Sequence, residues 1–239
     1  MIYRTFTFDG ENSETHGIYV TGVSVYNAPV PVYDMITIPG RNGDLAMSGN
    51  RYANIEITYK CGAFADDQAG FADIMADVRE WLGSRKGYKV LEDDYNSGEY
   101  RLAVFRSGLE VDPAAYWQAG EFEIVFDCKP QRFLASGDTA VSFSADGTIT
   151  NPTLFTARPI ITVTGTGELT IGDTVITIGG TSNTVIDCEM MECYDGTDSK
   201  NGDVSFSGYD FPILEPGANT IELGTGITAV SIVPKWWRL

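Results

Sequence analysis

The sequence predicts a mainly β protein carrying one α-helix, built as two successive domains. Three observations carry this. Phe122, Ile124 and Phe126 alternate with Glu123 and Asp127, the two-residue period of a half-buried strand. Phe71, Ile74, Met75, Val78, Trp81 and Leu82 fall on one stripe of a helical period. After residue 150, β-rich runs recur roughly every eight to ten residues between glycines, the rhythm of a two-sheet sandwich.

The stretch 122–137 organises the chain. Pro130 removes a ladder donor and restricts Lys129 to an extended conformation, so the strand is expected to turn there. Ala135-Ser136-Gly137 then reads as the start of a second unit. Before it lie tyrosines, arginines and the helix; after it Thr, Gly, Ile and Val dominate. The expected domains are therefore 1–134, a β-sandwich or barrel-like unit with a helix over 66–82, and 135–239, an all-β sandwich.

In chain order, residues 2–8 read as a strand ended by Gly10, and residues 17–26 hold two more β-rich runs. Residues 32–39 form another strand, closed by Pro39-Gly40-Arg41-Asn42-Gly43-Asp44, where proline fixes φ and Gly and Asn tolerate positive φ. Residues 54–61 alternate as the next strand. Asp66 or Asp67 can cap the helix, and Gly83 is expected to end it in the left-handed conformation. Residues 88–91 and 100–105 make a hairpin whose polar tip spans Glu92–Gly98, and residues 110–118 read as irregular. In the second half, strands are expected over 160–165, 168–172, 174–180, 184–187, 220–223 and 229–233, with Asp195–Asp203 as a polar hairpin loop.

Composition narrows the function classes. The chain has 239 residues, 43% hydrophobic and 21% charged, with a formal net charge of −17. Residues 1–135 carry 12 Lys and Arg against 20 Asp and Glu, and the remainder 4 against 13, so the acidity is spread over both halves. That balance argues against DNA binding through phosphates, which relies on Lys and Arg displacing counterions, and against anionic membrane surfaces. No stretch approaches the about 18 apolar residues of a membrane span, so no membrane insertion is expected. The N-terminal residues alternate polar and apolar and lack the basic and apolar regions of a signal peptide. Cys61, Cys128, Cys188 and Cys193 include no Cys-x-x-Cys pair, and His16 is the single histidine, so a zinc site is not expected. Four buried free thiols are the expected state.

The candidate sites weigh lightly. Asp195, Asp198, Asn201 and Asp203 carry oxygens that suit calcium, but their spacing does not match an EF-hand loop, and a solvated hairpin tip fits better. Glu92, Asp93 and Asp94 read as a solvated tip, or as carboxylates offered to a neighbouring subunit's Arg or Lys. A Ser-His-Asp triad would have to use His16, in a polar loop with no Gly-x-Ser-x-Gly elbow elsewhere. Phosphate-binding glycine loops are missing too, so no catalytic, cofactor or metal residues are assigned. Trp236 and Trp237, with Lys235 and Arg238, suit a sugar or partner stack, but a final strand alternating between core and domain interface explains them better. Tyr116 and Trp117 are candidate interface anchors.

Several ordered landmarks resemble one family. Ile38-Pro39-Gly40-Arg41-Asn42-Gly43-Asp44-Leu45, Cys128-Lys129-Pro130-Gln131-Arg132-Phe133-Leu134, Ala157-Arg158-Pro159-Ile160-Ile161, Cys193-Tyr194-Asp195-Gly196, Phe211–Gly217 and Pro234–Leu239 are similar to segments of the distal tail proteins of long-tailed, non-contractile bacteriophages. The resemblance implies a tail-tube-like N-terminal domain that forms a hexameric ring with a channel for DNA, and a galectin-like C-terminal sandwich facing outward. It also implies partners: other copies of the chain, the tail-tube protein, the tail-tip hub protein and receptor-binding proteins. The implied location is the tip of the virion tail, after synthesis in the host bacterial cytoplasm. The family brings no catalytic residues. The competing expectation is a carbohydrate-binding or adhesin protein, which requires an exposed aromatic platform on the second domain.

Overall fold

The computed structural model describes residues 4–24, 26–114, 118–180, 183–208 and 210–239. The chain divides into two units, Met1–Arg132 together with Leu239, and Phe133–Arg238.

In the first unit, β1 (Phe6–Phe8), β2 (Glu11–Asn12), β3 (Ile18–Val23), β6 (Ile55–Phe64), β7 (Lys89–Asp93), β8 (Glu99–Phe105) and β10 (Ala119–Leu134) form an antiparallel sheet in the order β2-β1-β7-β8-β10-β6-β3. Arg4 bridges Val20, whose N–H donates to the Arg4 carbonyl at 2.9 Å. The chain entering β1 thus meets the far strand β3, and the sheet rolls up into a barrel. Strict alternation explains its inside: Ile55, Ile57, Tyr59, Cys61 and Ala63 of β6 and Phe122, Ile124, Phe126 and Cys128 of β10 are all buried. Phe6 stacks on Tyr59 at 4.8 Å between ring centroids and on Trp81 at 5.7 Å, and Phe8 lies 4.8 Å from Phe126. Each such side chain contributes about 1.5–3 kcal/mol on burial.

The helix α1 (Gln68–Ser84) supplies Trp81 to this cluster, with Phe71, Met75, Val78 and Leu82 also buried. Asp67 caps it, its carboxylate accepting from Gly70 N–H at 2.7 Å. The expected stop at Gly83 does not occur. Gly83 lies inside the helix, Arg85 leaves it extended, and the left-handed glycine is Gly87. Ser84 Oγ donates to the Trp81 carbonyl at 3.1 Å, which satisfies a terminal acceptor without a left-handed cap.

Two further expectations are corrected. β10 does not turn at Pro130 but continues extended to Leu134. Its pairing with β6 ends at Cys128 opposite Ile55, so on that side no ladder partner waits for the N–H that Pro130 lacks. The stretch expected to be irregular contains β9 (Val111–Ala114), which pairs with the start of β10. β4 (Pro31–Ile36) and β5 (Leu45–Tyr52) form a separate two-stranded ribbon.

In the second unit, β11 (Val141–Phe143), β13 (Ile160–Gly165), β16 (Thr184–Asp187), β17 (Glu192–Asp195), β18 (Asp198–Ser199) and β21 (Ile227–Val233) form one sheet, ordered β11-β21-β13-β16-β17-β18. β12 (Gly147–Asn151), β14 (Gly167–Ile171), β15 (Thr174–Ile178), β19 (Val204–Phe206) and β20 (Gly217–Leu223) form the other, ordered β12-β20-β14-β15-β19; the short β22 (Trp237–Arg238) closes the chain. Ile161, Val163, Ile186 and Ile232 from the first sheet and Leu169, Ile171, Ile176 and Ile221 from the second share one core, so the sheets pack as a sandwich. Gly165 (φ 110°) sits at a bulge where a Cβ would run into the Gly226 carbonyl, so only glycine fits. Asn151 is buried and fully employed: it donates to the carbonyls of Phe155 (2.9 Å) and Leu214 (3.1 Å) and accepts from Thr153 N–H and Oγ.

Candidate assembly interface

The most conspicuous surface is the β4–β5 ribbon. Among the described residues its strands pair only with each other. Its register sets Tyr33 opposite Ser48, Asp34 opposite Met47, Met35 opposite Ala46 and Ile36 opposite Leu45. Directly opposed residues share a face, so Tyr33 and Met35 lie on one side and Ile36, Leu45 and Met47 on the other. All five are exposed, from 44% for Ile36 and Leu45 to 59% for Met35. A lone two-stranded hairpin is marginal in water, and bare apolar faces with free edges invite pairing. The turn is nevertheless well made. Thr37 Oγ donates to Asp44 at 2.9 Å and Arg41 N–H to the Ile38 carbonyl at 3.2 Å. Gly49 meets the Val32 carbonyl so closely that a Cβ would lie 3.1 Å from it. The ribbon is thus shaped locally while its apolar side chains are left without a core. Tyr26 and Val30, in the segment leading into it, are exposed too.

Within the acidic run, Asp93 accepts from Tyr59 Oη (2.9 Å) and from the N–H groups of Tyr95 and Asn96, while Asp94 accepts from Thr5 N–H and Oγ at 2.9 Å each. Asp93 thus closes the β7–β8 tip and ties it to Tyr59 of β6, while Asp94 ties it to the chain entering β1, which corrects their reading as a solvated tip. Asp94 does so from an exposed position, and Glu92 is exposed beside it. Beneath them lies a buried polar cluster, where Arg132 Nη1 lies 3.3 Å from Glu99 and Arg101 Nη1 donates weakly to the Pro130 carbonyl at 3.4 Å. Burial, then the neighbouring Arg132, pulls the Arg101 pKa down.

The calcium candidates are used structurally. Asn201 accepts from Cys193 N–H at 2.6 Å, Lys200 lies 3.7 Å from Asp203, and Asp195 is opposite Asp198 in the β17–β18 pair. Among the described residues no group of three or more His, Cys, Asp or Glu is placed to hold a metal ion. His16 stacks on Trp81 at 4.0 Å, with Nδ1 2.7 Å from Asp77 and Nε2 3.3 Å from Glu11, so both nitrogens face carboxylates rather than a serine hydroxyl. All four cysteines are buried and unpaired.

Trp236 is 5% exposed in the core of the second unit, and Trp237 stacks on Phe155 at 4.4 Å while its indole N–H donates to the Thr156 carbonyl. Trp236 is thus not free to stack on a sugar, and Phe155 takes one face of the half-buried Trp237 ring. Among the described residues of the second unit, the exposed large apolar side chains are Val141, Leu154, Met190 and Met191, none of them aromatic. Tyr116 and Trp117 lie outside the described residues. No described helix is long and apolar enough to cross a membrane.

Comparison with known proteins gives this architecture its relatives. Residues 12–128 match the Sipho_tail family, described as phage tail protein RIFT-related domain. Most of the first unit is thus similar to this family. The whole chain shares its fold with SPP1 Dit, whose crystal structure is presented as a paradigm of the hub adsorption apparatus in phages that infect Gram-positive bacteria: 14% identity over 100% of both chains, TM-score 0.71. It is also similar to a chain of the phage P2 baseplate in its activated conformation with calcium, at 13% identity over 97% of this chain and 98% of that one, TM-score 0.53. The same baseplate with strontium gives 13% identity, 99% and 98% coverage and a TM-score of 0.52. No curated protein matches the sequence. The resemblance to phage distal tail proteins read from the sequence holds, as does the mainly β fold with its single described α-helix.

Proposed function

We propose that the chain is a structural, non-catalytic subunit of a phage tail tip, in which six copies form a ring that joins the tail tube to the tail-tip hub and leaves a channel for DNA. The observation that carries this reading is the ribbon: an ordered hairpin with apolar side chains on both faces and no core of its own to cover them. A ring uses a heterologous interface, one patch of a subunit against a different patch of the next, and a projecting ribbon is an element that can reach such a patch. The fold shared with SPP1 Dit and the RIFT-related domain support the tail setting. Its neighbours in that setting are the tail-tube protein, the hub protein and receptor-binding proteins, each held by protein contacts rather than by a cofactor or by sequence-specific nucleic acid. The acidic surface suits a wall that DNA phosphates pass without adhering.

The test is location. Gold-labelled antibodies against the chain, applied to virions produced by the phage that encodes it, are expected to mark the end of the tail distal to the capsid. Label on the capsid or along the tube, or virions without the protein, would contradict the proposal.

A further inference from the structure

The chain contains two Asn-Gly pairs in nearly matched surroundings, Arg41-Asn42-Gly43-Asp44 and Lys200-Asn201-Gly202-Asp203. Each asparagine follows a basic residue and precedes Gly-Asp. Asn-Gly is the pair in which the following backbone nitrogen reaches the side-chain amide most easily, because glycine has no Cβ to obstruct the approach. The local sequences leave little to tell the two apart. The fold separates them.

Asn42 stands at the tip of the ribbon, where residues 41–44 are all exposed. Exposure and room at the following glycine do not separate the pair, since residues 201–203 are exposed too and a Cβ on Gly43 or on Gly202 would meet nothing within 4 Å; what separates them is that no hydrogen bond holds the Asn42 side chain among the described residues. Asn201 is pinned. Its Oδ1 accepts from Cys193 N–H at 2.6 Å, Lys200 N–H donates to the Cys193 carbonyl at 2.7 Å, and Asp203 N–H closes the turn onto the Lys200 carbonyl at 2.9 Å. Asp203 is tied in turn, its carbonyl accepting from Gly179 N–H at 2.7 Å. To react, Asn201 would have to give up its bond to Cys193 and rotate against a closed turn.

We propose that Asn42 is a site of spontaneous modification that the fold leaves open, while Asn201 is protected. The Gly43 backbone nitrogen attacks the Asn42 side-chain carbonyl carbon, a C–N bond forms, and the side-chain nitrogen leaves as ammonia, carrying the proton released from Gly43. Water then opens the resulting succinimide at either carbonyl. One product is an ordinary aspartyl residue in place of the asparagine; the other is an isoaspartyl linkage that adds a methylene to the backbone. Both add a negative charge at the ribbon tip, and the second lengthens the turn that sets Ile36 opposite Leu45. The chemistry does not depend on the ring reading, although it falls on the element that carries that reading.

The native protein, incubated in mildly alkaline heavy-oxygen water and sampled over time by peptide mass spectrometry, tests this. The Asn42 peptide is expected to gain acid and isoaspartyl forms several-fold faster than the Asn201 peptide. In denaturant the two rates are expected to converge, because the flanking residues match. Equal native rates, a faster Asn201, a difference that persists undiminished in denaturant, or no conversion at either site would each overturn the proposal. An Asn42→Ser variant is expected to abolish the fast product and leave the Asn201 rate unchanged.

Discussion

Phe126 shows how one side chain can hold a barrel. It is 0% exposed and meets Phe6, Phe8, Tyr59 and Phe105 from three other strands. Phe126→Ala is expected to lower stability by about 3–5 kcal/mol, read as a lower denaturant midpoint with little change in slope. Tyr59→Phe is expected to cost about 1–2 kcal/mol in the same assay, because Asp93 then loses the hydroxyl donor. Burial pushes the Cys61 and Cys128 thiols up to about 12 and Cys193 to about 11, against an ordinary 9.0, and raises Cys188 as well. A folded thiol that keeps its proton to higher pH than the unfolded one stabilises the fold fully below about pH 9. That contribution is lost as pH rises through 11 to 12. Native protein is therefore expected to resist alkylation at pH values where the unfolded chain is fully labelled. Rapid native labelling would show that the thiols are not buried as described. Spacing argued only against a zinc site; that these thiols are buried and unpaired is seen in the fold. The Asp93 and Asp94 anchors were not readable either, because a run of acids on a hairpin tip has the same sequence whether it faces water or the neighbouring strand.

At the scale of elements, the helix and ribbon mark opposite limits of legibility. α1 announces itself by an apolar stripe because one face is buried. Its cap is legible for the same local reason, and Asp67→Ala is expected to cost about 1 kcal/mol in thermal or chemical unfolding. β5 left no readable signal: Leu45-Ala-Met-Ser-Gly-Asn-Arg-Tyr has no two-residue alternation, since neither face of the ribbon is buried. The ribbon's first strand, expected over 32–39, and its turn at 39–44 did stand out. β9 was missed because it is fixed by its pairing with β10 rather than by its own sequence, and the continuation of β10 because Pro130 costs it no ladder bond on the β6 side. If the ribbon serves contacts outside the unit, Ile36→Ser with Leu45→Ser is expected to change unfolding free energy by no more than about 0.5 kcal/mol, as for surface sites. A loss of several kcal/mol would mean that the ribbon packs on its own unit.

At the scale of the whole molecule, two units divide the work of folding. Each has its own apolar core, and the acidic charge is distributed over both. The alternation that fills these cores is what made the fold class legible. An interface cannot be read this way, since apolar residues that face a partner look in sequence like a poor strand. The most direct measurement is the mass in solution across a concentration series, for the wild-type chain and for the Ile36→Ser/Leu45→Ser variant, with negative-stain images of any large species. The account predicts ring-shaped particles of six chains for the wild type and a folded monomer for the variant. Rings that form equally well with the substituted ribbon would contradict it.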